Sequence, residues 1–284
     1  MFLSNLKNSN KLDVKKMLVF PNAKINLGLN ILDKRSDGYH NLSSVFYPIN
    51  IHDSLEVLTS DGTGEVNLYV DGVELSDEKE ANFVYQVICQ FGLQTKNYEV
   101  HLIKNIPMGG GLGGGSSDAT FTLKILRGLG ALTEPNKIFD NAMSIGSDCG
   151  FFVSNETSLV QGRGELVQPI SVDLTGYYIL LVIPNFHVST KSAFEHIVPK
   201  NEPNFKEIIT QLPIQEWRGV IKNDFEKTVF EAHPILGGIK QNLYNKGALY
   251  AQMSGTGSTV FGIFSDFKKA KIANLSLGGE LLKL

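Results

Sequence analysis

Apolar and polar positions alternate with a period of two along several stretches of the chain, the mark of half-buried strands. Residues 17–20 and 25–32 read as strands that meet at Pro21-Asn22, and Ser36-Asp37-Gly38 reads as a turn. Stretches 45–51, 54–58 and 65–70 continue the strand pattern, the last closing on the turn Asp71-Gly72. The period then changes. Val84, Val87, Ile88 and Phe91 fall at i, i+3, i+4 and i+7, which predicts an amphipathic helix over 81–94. A strand is predicted over 98–106 and a helix over 116–127, stopped by Gly128 and Gly130.

Thr133-Glu134-Pro135 opens a further helix with proline near its first position, and Gly146 ends it. After Gln168-Pro169 the pattern restarts with a buried strand over 178–183. Helices are predicted over 192–197, 205–212 and 235–245, the last ended by Gly247, and strands over 248–252 and 259–264. Strands and helices do not alternate strictly. That predicts an α+β architecture in two lobes rather than one doubly wound sheet. The division expected is a polar tail over 1–16, an N-terminal domain over 17–168 and a C-terminal domain over 169–284.

The 284 residues are 42% hydrophobic and 19% charged, which suits a buried core and not a disordered chain. Lys and Arg number 26 against 29 Asp and Glu, a net charge of −3. No basic excess is available to neutralise a run of phosphates, so no nucleic-acid partner is expected. Cys89 and Cys149 form no C-x-x-C pair and lie in no His-rich cluster, so both read as small buried hydrophobes in a reducing compartment. No apolar run approaches the roughly 18 residues of a membrane span. Residues 1–16 lack the apolar stretch of a secretory signal and read as a loose tail, or as an extension ahead of a start at Met17. The expected setting is the cytoplasm, with no membrane partner. Oligomeric state stays open between monomer and weak dimer.

Glycine, at 28 residues, exceeds the roughly 20 that an average usage of about 7% would give. Much of the excess lies in Pro107-Met108-Gly109-Gly110-Gly111-Leu112-Gly113-Gly114-Gly115-Ser116-Ser117-Asp118, between a predicted strand and a predicted helix. Glycines leave successive amides exposed, and the following helix adds its positive end, so the expected ligand is a phosphate chain. No lysine follows as a P-loop requires. Gly109, Gly111 and Gly114 fit G-x-G-x-x-G with Glu134 downstream, but Glu134 opens a helix where a dinucleotide fold needs the end of a strand. No H-R-D or D-F-G occurs, against a protein kinase. The Ser116 and Ser117 hydroxyls could cap the helix or reach a phosphate-bound Mg²⁺. A second loop, Met253-Ser254-Gly255-Thr256-Gly257-Ser258, could present amides to phosphate, brace the first loop, or be an ordinary hairpin turn.

Pro21-Asn22-Ala23-Lys24-Ile25-Asn26-Leu27, the 107–118 loop and the 253–258 loop, in that order, resemble the three motifs of the galactokinase, homoserine kinase, mevalonate kinase and phosphomevalonate kinase (GHMP) family. The resemblance runs from about residue 17 to the C-terminus. It implies a two-lobed α+β GHMP kinase fold, with a ribosomal-protein-S5-like N-terminal lobe and a ferredoxin-like C-terminal lobe. It implies transfer of a phosphoryl group from ATP, with Mg²⁺, to the hydroxyl of a small-molecule substrate. Arg35-Ser36-Asp37-Gly38-Tyr39-His40, the glycine-rich loop, and Gly146-Ser147-Asp148 with Phe151-Phe152 are similar to members whose substrate carries a cytosine. A mevalonate- or sugar-type member is the alternative.

By that resemblance Lys24 and Asp148 form the catalytic pair, Asp148 as general base and Lys24 as its opposite charge and a stabiliser of the moving phosphoryl. Residues from Pro107 to Ser117 would bind ATP. Tyr39, His40 and Phe194 would wall the cytosine pocket, and Asn26 would face the polyol or satisfy backbone groups. Without the resemblance Asp148 is a turn residue and Lys24 a charge at a strand edge. The chain departs from the family in Asp148-Cys149-Gly150, where Val-Pro is frequent after the aspartate, and a looser loop is expected there.

Overall fold

The computed structural model describes residues 14–72, 79–195, 197–199 and 204–284. The N-terminal half runs β1 (Lys15–Val19), β2 (Asn22–Lys34), β3 (His40–His52), β4 (Ser54–Asp61), β5 (Val66–Gly72), α1 (Phe83–Phe91), β6 (Lys96–Lys104), α2 (Gly114–Gly128), α3 (Ile138–Ile145), the short α4 (Phe151–Ser154), β7 (Ser158–Gly162) and β8 (Leu166–Pro169). The C-terminal half runs β9 (Tyr178–Val182), α5 (Thr190–Glu195), α6 (Phe205–Gln211), α7 (Phe225–Ala232), α8 (Pro234–Asn245), β10 (Tyr250–Met253), β11 (Val260–Phe264), α9 (Phe267–Leu277) and β12 (Glu280–Lys283).

These strands form three four-stranded sheets. The first has the order β1-β4-β6-β5, with β5 parallel to β6 and the other pairs antiparallel. Its inner face, Leu55, Val57, Val100 and Leu102, packs on Val84, Val87 and Ile88 of α1 and Leu123 and Leu126 of α2. The residues that predicted α1 are those it buries. The second sheet is the antiparallel meander β2-β3-β7-β8. The third is antiparallel in the order β10-β11-β9-β12. With its helices it is a β-α-β-β-α-β unit, the ferredoxin-like arrangement.

The third sheet is covered on both faces. Ile179, Leu181, Phe261 and Ile263 meet Ile25, Leu27 and Val45 of the second sheet in one core. The alternate residues Leu180, Val182 and Phe264 pack on Leu236 and Leu243 of α8 and Ala270 and Ala273 of α9. Two-sided burial explains why 178–183 reads as an unbroken apolar run. Burying one such side chain contributes on the order of 2 kcal/mol.

The structure departs from the sequence pattern in several places. Lys15 and Lys16 pair with Thr59 and Leu58 in β1, so the strand begins inside the expected polar tail; residues 1–13 lie outside the described residues. The first helix is shorter than predicted, and α2 starts at Gly114, two residues early. Elements α4, β7, β8, α7, α9 and β12 had no counterpart in the pattern. Except for α7, which buries Phe225 and Val229, they are short or, like α9, bury only small residues such as Ala270 and Ala273. Cys89 is exposed, against expectation, whereas Cys149 is buried and its thiol is pushed up to about 11, chiefly by burial.

Candidate active site

The glycine loop, β2, the Asp148 turn and the second loop enclose a cavity of about 670 Å³. Strand alternation sets its floor: Ile25 and Leu27 enter the core, while Lys24 and Asn26 on the other face line the cavity. Lys24 is 2% exposed, far from the strand-edge position that the pattern alone suggests. Its Nζ donates to Asn26 Oδ1 at 2.7 Å and to the Gly111 carbonyl at 3.1 Å, and lies 3.3 Å from Asp148 Oδ2. It also sits 4.6 Å above the Phe46 ring. Asp148 reaches the cavity from the turn after α3, where the extended Gly146 ends the helix. Two residues distant in sequence are thus one ion pair, buried at the lysine and open to the cavity at the aspartate.

The Asp148 turn is firm rather than loose. The Cys149 carbonyl accepts a 2.9 Å bond from Thr120 Oγ1, and Phe151 and Phe152 are fully buried. A Cβ on Gly150 would meet Met143 Sδ at 2.5 Å and the Phe139 ring at 3.1 Å, so the turn packs closely on the side chains of α3.

Residues from Pro107 to Ser116 line the cavity, whereas Ser117 is fully buried outside it with an unpartnered hydroxyl. Neither serine caps α2. The capping position is Gly113 (φ +73°), with no side-chain bond, and the serines lie inside the first turn. That leaves the first-turn amides of a 15-residue helix uncapped by any side chain, a fit for phosphate oxygens. Ser116 alone of the pair faces the cavity. Among the described residues no cluster of three or more His, Cys, Asp or Glu could hold a metal by itself.

The second loop braces the first. Ser254 Oγ donates to the Gly111 carbonyl at 2.8 Å and accepts from the Asn26 N–H at 3.2 Å; Ser254 is buried, and Gly255, Thr256 and Gly257 line the cavity. The Lys24 N–H donates to the Leu112 carbonyl at 2.9 Å, and the Thr259 N–H to the Gly110 carbonyl at 3.3 Å. Asn26 is 1% exposed and spends its amide on Lys24 and on Ser44 (2.9 Å), so it orients the lysine.

Tyr39, His40 and Phe194 all line the cavity, but not as two facing walls. The rings of His40 and Phe194 stack on each other at 5.0 Å and 21°, leaving no room for a base between them. Phe194 also meets Phe225 edge-on at 4.7 Å, so it is partly a core residue. Tyr39 is 53% exposed, with the Arg163 guanidinium over its ring at 4.7 Å from the centroid. Glu134 is a surface residue paired with Lys137 at 2.7 Å, which removes the dinucleotide reading.

Sequence reasoning missed a buried charge cluster behind the glycine loop. Lys104 Nζ binds Asp53 Oδ2 and, at 2.7 Å, Asp118 Oδ2; Asp53 Oδ1 accepts from the N–H groups of Asn105 and Ile106. The only signal was position, a lysine ending β6 just before the loop. Burial pushes the Asp118 carboxyl up from 3.8 to about 7, opposed by Lys104 and assisted by Asp53. The folded protein then holds a proton that the unfolded chain releases between those values, so this group's contribution to stability falls as pH rises from about 4 to 7. Asp118→Asn should therefore lose less melting temperature than the wild type between pH 5 and pH 8. Parallel melting curves for the two proteins would refute that protonation.

The family model described as the GHMP kinases N terminal domain matches residues 82–155, and the GHMP kinases C terminal model matches 192–277. The chain belongs to the GHMP kinase family. It is 45% identical over 258 residues to a protein of Bacteroides fragilis named 4-diphosphocytidyl-2-C-methyl-D-erythritol kinase, covering 89% of this chain and 94% of the relative. A protein of the same name from Cytophaga hutchinsonii is 41% identical, with 88% and 93% covered. A solved 4-(cytidine 5'-diphospho)-2C-methyl-D-erythritol kinase superposes with a TM-score of 0.75 at 25% identity, over 94% of this chain and 97% of that one. A homoserine kinase of Cytophaga hutchinsonii shares the fold at a TM-score of 0.60 and 16% identity.

Proposed function

We propose that this chain transfers the γ-phosphoryl group of ATP to the 2-hydroxyl of 4-diphosphocytidyl-2-C-methyl-D-erythritol, a step of the non-mevalonate route to isoprenoid precursors. The observation that carries the chemistry is the Lys24–Asp148 pair at 3.3 Å inside the glycine-loop cavity. The choice of substrate is supported by the relatives' names and by the Tyr39-His40 segment beside that pair.

In this reading Asp148 takes the proton of the attacking hydroxyl as its oxygen bonds to the γ-phosphorus. The bond from phosphorus to the β–γ bridging oxygen breaks, and ADP leaves with that electron pair. Lys24, fixed by Asn26, keeps its ammonium against Asp148 and against the charge that develops on the transferring group. The loop from Gly109 to Gly115 and the first turn of α2 hold the nucleotide phosphates. Mg²⁺ would arrive on those phosphates, with the Ser116 hydroxyl in reach, and neutralise part of their charge. Tyr39 gives the cytosine a stacking face. The domain division near residue 168 is supported by β8 ending at Pro169 and β9 joining a different sheet. Among the described residues no helix is long and apolar enough to cross a membrane, which suits the proposed cytoplasmic setting.

The decisive assay is ADP release from Mg²⁺-ATP with four candidate alcohols: the cytidylylated methylerythritol, mevalonate, homoserine and galactose. Turnover is expected with the first alone. Preference for mevalonate or galactose would move the chain to another branch of the family.

A further inference from the structure

The turn Gly162-Arg163-Gly164-Glu165 between β7 and β8 carries none of the residues placed in the mechanism above. It is pinned in place. A Cβ on Gly164 (φ +126°) would stand 2.3 Å from the Ser147 carbonyl oxygen, so the turn packs directly on the segment that carries Asp148. The Glu165 carboxylate accepts from the Arg163 N–H and, at 3.3 Å, from Arg35 Nη1. Arg35 in turn holds Asp37 at 3.0 Å. These bonds lock the turn to the 35–40 segment that presents Tyr39 and His40.

Arg163 itself makes no ion pair among the described residues, although, after Arg35, its charge helps hold the Asp37 carboxyl below its usual range. Its guanidinium lies 4.7 Å from the Tyr39 ring centroid and lines the cavity together with Tyr39 and Asp148. Arg35 is neutralised by two carboxylates, whereas among the described residues none lies within ion-pair distance of the Arg163 guanidinium. A guanidinium remains charged at any working pH, and its planar fork matches two phosphate oxygens. Held over an aromatic ring, it gives up little freedom on binding such a group. Its neighbour is Tyr39, the ring assigned to the base, and not the glycine loop assigned to ATP.

We propose that Arg163 recognises the diphosphate bridge of the acceptor substrate, between the cytosine at Tyr39 and the hydroxyl at Asp148. This rests on the substrate reading above and adds the group that selects a cytidine diphosphate ester over a bare nucleoside.

Two measurements on Arg163→Ala and Arg163→Lys test it. In steady-state assays Arg163→Ala should raise KM for the cytidylylated substrate by about 10- to 100-fold, the loss of a charge-assisted pair, with KM for ATP unchanged. Arg163→Lys should recover part of the loss, because it restores the charge without the fork. In calorimetric titrations, with the ATP site filled by a non-hydrolysable analogue, the wild type should bind CDP more tightly than CMP and CMP more tightly than cytidine. Arg163→Ala should flatten that series. Equal weakening of all three ligands, or an unchanged KM, would overturn the proposal. If the wild type does not turn over the cytidylylated substrate, the substrate reading fails instead, and the titration series still decides whether Arg163 reads phosphate.

Discussion

Asp148→Asn should lower turnover by about 10²-fold or more while leaving ATP affinity near that of the wild type. The amide keeps the size and one acceptor oxygen of the carboxylate but cannot take the hydroxyl proton. Asp148 lies at the cavity wall and makes no bond to the glycine loop, so the nucleotide cradle is untouched. The 3%-exposed Lys24 side chain loses its counter-charge, and a lower melting temperature is expected alongside. Single-turnover rates and nucleotide titration on the same preparation separate the two effects. Full turnover of the cytidylylated substrate by this variant would remove Asp148 from the role of base.

Gly111→Val should weaken ATP binding at least as severely as any loop substitution, for a reason that the sequence does not contain. The glycine at 111 has φ +74°, which a β-branched residue adopts only with strain. Its Cβ would also stand 2.0 Å from the Ser254 carbonyl oxygen. The clash is with the backbone of the second loop. The variant therefore pushes the two loops apart and frees the Gly111 carbonyl from both Lys24 and Ser254. An ATP affinity lowered by about tenfold or more is expected, with a lower melting temperature. Gly111→Ala, with a smaller side chain and the same clash, should follow in the same direction. Wild-type affinity in both would show that the loop conformation does not depend on glycine at this position.

Those two residues show what was legible in the chain. A run of glycines between a strand and a helix predicts a phosphate loop because backbone freedom and exposed amides are local properties. The loop that fixes Gly111 in place is remote, and nothing in the 107–118 segment points to Ser254. The Lys24–Asp148 pair is likewise a product of tertiary closure: α2 holds the turn after α3 through the Thr120–Cys149 bond, and that turn meets β2 from a remote part of the chain. A family motif supplied that pairing where periodicity could not. Tyr39, His40 and Phe194 line the cavity, but the ring-on-ring stack of His40 and Phe194 depends on α5 and α7 packing together, which no spacing rule contains. Asp118 and Arg163 were missed for opposite reasons. Asp118 looks like the next polar residue of a helix start, and Arg163 like a surface charge in a turn.

The core shared by the second and third sheets changes what the two-lobe description means. Ile25, Leu27 and Val45 are covered by Ile179, Leu181, Phe261 and Ile263, with no solvent layer between. An apolar sheet face has no stable existence without its cover. The two sheets are therefore distinct in topology but share one buried core, and parting them would expose apolar faces of both. The Ser254–Asn26–Lys24 chain of bonds stands at the edge of that same seam. Parting the lobes would leave the Lys24–Asp148 pair together but strip Ser254 from both Asn26 and the Gly111 carbonyl. The exposed ring of Tyr39 stands at the rim of the cavity that this seam supports.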